Sequence, residues 1–236
     1  MTEKCLIATT LAILVCHPSS TIRCFKPKPK PISSSKSNKI PKKPEEKPTP
    51  NSNLVSELIR ENSLFGYMEN IIRNGWLEKT SLNINRILKV KQSVRTLIKF
   101  EQYREMVELE AESATCHLVF HGANITCSLG ENGNGSPRIC GMKQCRVCRI
   151  LVSKFSVEDR SMSFFRSVWK AHEKLINNCL FANENCEKRA IIVCRVIVGG
   201  FDSILGPTGD RSNGAEELVV LDPRAVLPCF VVIYSV

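Results

Sequence analysis

The chain has 236 residues, 43% of them hydrophobic, which is enough apolar material for a packed core and excludes wholesale disorder. Its longest apolar run near the start, Cys5 to Cys16, is 12 residues and contains two Thr, short of the roughly 18 to 20 that a membrane-crossing helix needs. The net charge of +10 is concentrated in residues 26–50, where eight Lys face only Glu45 and Glu46; the remainder is nearly balanced and lacks the broad basic face of a nucleic-acid binder.

Residues 1–25 read as an apolar leader with the outline of a secretory signal, Lys4 preceding the apolar run. Glu3 and the lack of a small-x-small cleavage site weigh against that outline, so a nuclear or cytoplasmic location is expected and secretion is the alternative. Secretion would make Asn124-Ile125-Thr126 and Asn134-Gly135-Ser136 glycosylation acceptors. Residues 26–62 follow as a disordered linker, since seven Pro, eight Lys and four Ser in residues 26–50 bury little apolar area.

The folded domain is expected over residues 63–236. Ser63 is the predicted N-cap of a helix whose stripe is Leu64, Tyr67, Met68, Ile71 and Ile72, closed by Gly75. Leu82 to Val90 alternates as a half-buried strand, and Val94 to Val107 carries helical periodicity into an acidic end. The second half predicts strands at His117 to Phe120, Ser163 to Phe165, Ala190 to Val198, Glu217 to Leu221 and Phe230 to Tyr234, with helices at Cys145 to Val152 and Arg166 to Leu180. Gly130 to Pro137 and Gly199 to Gly214 predict loops. Strands with interspersed helices but no regular alternation argue an α+β fold.

Five segments, INRILKVKQSVRTLIKFEQYREM, LVFHGANI, AIIVCRVIVGG, FDSILG and EELVVLDPRAVLPCFVVIY, occur in one order and spacing. Together they resemble the catalytic domain of the poly(ADP-ribose) polymerases, within the ADP-ribosyltransferase superfamily. The C-terminal stretch is most similar to tankyrase, and residues 63–236 resemble a plant group of uncharacterised proteins with a polymerase-like C-terminal domain. The resemblance implies split antiparallel sheets around an NAD cleft with flanking helices, and a catalytic triad of His, Tyr and Glu.

Carried onto this chain, the family's His-Gly pair falls on His121 and Gly122, just after the predicted strand HLVF, and its catalytic Glu falls on Glu217. His121 would bond a ribose hydroxyl, and the Gly122 backbone would approach the nicotinamide amide. Glu217 would stabilise the positive charge that develops on the ribose as the nicotinamide bond breaks. Glu216 is the neighbouring candidate, but successive strand residues point to opposite faces, so only one of the two can enter the cleft; spacing to Asp222-Pro223 favours Glu217.

The middle of the triad departs from the family. Phe164 stands where the first Tyr is expected, and the helix that should supply a nicotinamide-bonding Ser and a stacking Tyr offers Ala171 or His172, then Lys174 or Leu175. Losing an amide partner and a stacking ring costs about 1 to 3 kcal/mol each. Trp169 or His172 would have to compensate from another turn.

Cysteine usage adds a separate signal. Cys140, Cys145 and Cys148 lie in CGMKQCRVC, with Cys116, His117 and Cys127 upstream. Free buried thiols are the preferred reading; a structural zinc on some combination of Cys116, Cys140, Cys145 and Cys148 is the second, and disulfides the third. Cys194 and Cys229 are expected to pack in buried strands.

Two functions stay open on this basis. One is an NAD-dependent protein mono-ADP-ribosyltransferase using His121, Gly122, Phe164 and Glu217, with NAD as co-substrate and a protein acceptor. The other is a catalytically silent protein-interaction or nucleotide-binding module on the same fold, stabilised by zinc if the cysteines hold it.

Overall fold

The computed structural model describes residues 54–77, 81–111, 114–130, 137–155, 162–182, 188–199, 203–205 and 217–236. They belong to one compact unit that spans Pro50–Val236. The expected leader, the expected linker as far as residue 53, and Asn134 lie outside the described residues.

The fold is α+β, built on one antiparallel sheet. In chain order its elements are β1 (Val55–Glu57), α1 (Ser63–Asn74), β2 (Asn83–Val90), α2 (Val94–Ala111), β3 (Thr115–Asn124), α3 (Arg146–Ser153), β4 (Met162–Phe165), α4 (Val168–Ala182), β5 (Arg189–Val198), β6 (Ser203–Leu205), β7 (Glu217–Val220) and β8 (Val226–Ser235). The strand order is β1-β2-β8-β5-β3-β4-β7-β6. Two expectations change here. Structure begins inside the expected linker, at β1, and β6 lies within the expected loop after Gly199.

The sheet is continuous, not a separate pair as the resemblance implied, yet its joins are unequal. β3 runs beside β5 in register from Thr115↔Val198 to Asn124↔Arg189, whereas β3 and β4 share a single registered pair, Phe120↔Phe165. The ladder is therefore thinnest between β3 and β4.

Local sequence explains the main elements. The side chain of Asn62, not that of Ser63, caps α1 by accepting from the Leu64 amide at 2.9 Å. The buried side of this helix is Phe65, Met68 and Ile72, rotated slightly from the expected stripe. β5 and β8 form the middle of the core, their residues apolar on both faces because each face is covered. β8 accommodates Pro228 at a bulge, where the pairing passes from Val193↔Phe230 to Cys194↔Pro228 and skips Cys229. A proline has no ladder donor, so a bulge is where a central strand tolerates it. Cys194 and Cys229 are fully buried, as expected of packing residues.

The two faces of the sheet carry different cover. Gly122, Arg189 and Tyr234 share a face by register, and α4 lies on it: His172 Nδ1 and the Tyr234 hydroxyl are 2.7 Å apart. Trp76 packs against Trp169, His172 and Tyr234, with ring centroids 4.7 to 5.5 Å away. His121, Ala123 and Arg86 point to the other face. The cysteine-bearing turn covers that side. Arg86, 5% exposed, bonds both Glu57 carboxylate oxygens and donates to the Leu129 carbonyl at 3.3 Å, tying β1 and the turn after β3 to the sheet.

Candidate metal centre and nucleotide cleft

Four cysteines converge beside the end of β3. Cys127 follows that strand, Cys140 lies in the returning loop, Cys145 is the N-cap of α3, and Cys148 is in the first turn of that helix. Their sulfur atoms all lie within 4.8 Å of one another, close enough to hold a metal ion. Cys127 Sγ is 3.6 Å from Cys145 Sγ and 3.7 Å from Cys148 Sγ. A tetrahedron with metal–sulfur bonds of about 2.3 Å has sulfur–sulfur edges of about 3.8 Å, so these separations fit one ion shared by the set. The Cys140 amide also donates to Cys148 Sγ at 3.4 Å.

The four cysteines that meet differ from the combination expected from sequence. Cys127 takes the place of Cys116, whose sulfur instead accepts from Arg195 Nε at 3.4 Å. His117 is also outside the group; its Nε2 lies 3.0 Å from the Thr115 hydroxyl. The signal for Cys127 was present in its spacing, Cys-x12-Cys-x4-Cys-x2-Cys, but only the path of β3 shows that residue 127 returns to the CysX2Cys pair while residue 116 sits at the far end of the strand.

Proton sharing within the cluster favours a thiolate. Hydrogen bonds from Cys127 and then Cys148 hold the Cys145 thiol well below its ordinary range. The same contact with Cys145 pushes Cys127 up to about 12. The start of α3 adds a favourable field for negative sulfur.

The expected nucleotide residues occupy the neighbouring junction. His121 and Gly122 lie within the ten-residue β3 and do not follow it, because the strand continues to Asn124. The His121 Nδ1 is 2.9 Å from the Ser163 carbonyl of β4. A carbonyl only accepts, so Nδ1 carries the proton. The imidazole thus bridges β3 and β4 where their ladder thins. Phe164 stands beside it with ring centroids 5.7 Å apart, and Phe155, just after α3, meets both rings edge-on at 5.2 and 5.1 Å. Phe155 is 2% exposed and covers the imidazole. It reaches this place through left-handed backbone, φ 53° at Lys154 and 66° at Phe155, a conformation that costs a non-glycine residue about 1 to 2 kcal/mol.

Gly122 points the opposite way, into α4. A Cβ there would stand 2.4 Å from the Ala171 carbonyl oxygen and 2.8 Å from Leu175 Cβ. An aromatic ring between two walls needs about 7 Å, twice a van der Waals contact. The helix backbone already fills that space, so glycine here serves strand–helix packing. Ala171 and Leu175, two of the positions where the family's Ser and Tyr would fall, are the residues packed against it. Trp169 and His172 are committed to the Trp76–Tyr234 cluster, with Trp169 Nε1 donating to Glu173 at 2.9 Å.

Glu217 opens β7 opposite Phe165, while Leu218 stands opposite Phe164. Facing residues on antiparallel strands point to the same side. The register therefore gathers His121, Phe164 and Leu218 on one face, and puts Glu217 on the other with Phe165 and Phe120. Two inter-strand spacings, about 10 Å, also separate the strands of His121 and Glu217. Residue 216 lies outside the described residues.

Asn124 is 5% exposed, which leaves little access for a glycan at that acceptor. Among the described residues no helix is long and apolar enough to cross a membrane. Comparison of the sequence with protein families and with curated proteins finds no match to either.

Proposed function

We propose that the folded unit is a silent module of ADP-ribosyltransferase-like ancestry that serves as a protein-interaction or weak nucleotide-binding domain, with zinc as the structural metal of its cysteine centre. The observation that carries this reading is the strand register. The resemblance implies an imidazole and a carboxylate around one ribose, whereas His121 and Glu217 project from opposite sides of the β3-β4-β7 ladder. The close contact of Gly122 with Ala171 and Leu175 and the Phe155 cover on His121 support it further.

The opposing reading is NAD-dependent mono-ADP-ribosyl transfer to a protein acceptor. Incubating the full chain with labelled NAD, beside Glu217→Ala, separates the two. The module reading expects no incorporated label in either protein. Label that appears in the natural chain and disappears in Glu217→Ala would replace it with a transferase. A thermal shift with NAD in the absence of label would narrow the module to nucleotide binding; its absence would leave a protein partner.

A further inference from the structure

We infer that Cys127, Cys140, Cys145 and Cys148 bind one zinc ion as a closed tetrathiolate, and that this ion is the clasp holding α3, and through it Phe155, against β3. The inference deepens the metal part of the proposed function and depends on none of its NAD chemistry.

The donor set narrows the metal. Four sulfur ligands at tetrahedral spacing suit zinc or iron, whereas oxygen ligands would be needed for calcium or magnesium; zinc is the one of the two that serves a closed site with no redox role, and elemental analysis distinguishes them. Four protein ligands also leave no position for water or substrate, which makes the site structural and not catalytic. Cys127, Cys145 and Cys148 are buried and Cys140 is half-buried. Binding is a ligand exchange: each thiol loses its proton to solvent and gives a sulfur lone pair to the metal, and nothing is oxidised or reduced.

The position of the cluster gives the ion a role. An eight-residue helix is too short to be stable by itself, yet α3 (Arg146–Ser153) carries two of the four sulfurs at its N-terminal end. Cys127 fixes those sulfurs to the end of β3, and the Arg86 contact to Leu129 fixes the same turn to β2. From the other end of α3 the chain delivers Phe155 onto His121. Removing the ion therefore leaves only the buried face of Val147, Ile150 and Leu151 to hold the helix, and loosens it and its aromatic cover together.

The test uses the purified full chain, dialysed against EDTA to remove loosely held metal, with elemental analysis beside Cys148→Ser and Cys116→Ser. About one zinc per chain is expected for the natural protein and for Cys116→Ser, and loss of the ion for Cys148→Ser. Cobalt(II) exchanged into the natural chain should give the absorption of a tetrahedral tetrathiolate, a readout that holds even if Cys148→Ser fails to fold. Stripping the metal with a strong chelator should raise amide exchange through α3 before it does so in β5 and β8. A folded, zinc-free natural chain, a Cys116→Ser variant that loses the metal, or a cobalt spectrum showing nitrogen or oxygen ligands would overturn the inference. NAD binding measured on the zinc-loaded chain reports separately on the nucleotide reading.

Discussion

Glu217 stands opposite Phe165 in the β4–β7 ladder, one residue out of step with the Phe164 that shares a face with His121. A one-residue step in a strand reverses the face, so a carboxylate on the right strand can still be on the wrong side of it. Glu217→Gln is accordingly expected to leave any NAD-induced thermal shift within experimental error, whereas His121→Ala should change the packing around Phe155 and Phe164 and lower the melting temperature. A Glu217→Gln protein that loses NAD binding would place the carboxylate in the site after all.

Gly122→Ala should destabilise the fold strongly. The new methyl would meet the Ala171 carbonyl at 2.4 Å, and backbone cannot yield as a flexible side chain does. Overpacking of this kind costs about 1 to 3 kcal/mol or more. Denaturant unfolding checks it, and a loss of unfolding free energy below about 0.5 kcal/mol would show that α4 has room to move.

His172 gives the unit a sensitivity to acid. Burial, followed by the nearby Arg189 charge, lowers its pKa from 6.5 to about 4, with Glu173 acting weakly the other way. The folded protein therefore keeps the imidazole neutral while the unfolded chain takes up a proton below 6.5, so stability is full above that pH and falls as pH drops towards about 4. Thermal melts at pH 7, 6 and 5 should show the decline, and His172→Gln should flatten it. A slope unchanged by the substitution would assign acid sensitivity to other groups, the clustered cysteine thiols first among them.

Arg86→Met should weaken the attachment of both β1 and the turn after Cys127. The guanidinium is buried, but Glu57 is 38% exposed and can be solvated once its partner is gone. The expected loss is therefore about 1.5 to 3 kcal/mol, the range for charged hydrogen bonds, and not the larger cost of a stranded buried charge. Unfolding followed at equilibrium measures it; an unaltered midpoint would make the contact dispensable.

Much of the secondary structure was legible because burial imposes a period on the chain. The apolar run at Ala190 to Val198 is β5, and the alternation around Arg86 is β2. Other features left no local trace. β1 is three residues long and gains its place only by pairing with β2. The expected end of a strand at Phe120 failed because glycine at 122 reads as a turn signal, while here its missing side chain admits a helix. The expected zinc set took Cys116 and left out Cys127; the ten-residue strand between them reverses that choice by carrying the two to opposite ends.

The sequence by itself determined the α+β class, the charge-rich N-terminal stretch, the helix and strand positions that periodicity reveals, and a CysX2Cys pair with chemical potential, since each is written in residue type and near-neighbour spacing. Tertiary structure alone decided which cysteines meet, that α4 fills the space beside Gly122, and that Glu217 faces away from His121. Those relations depend on pairing between distant strands, and side-chain direction alternates with every residue, so only the register settles them.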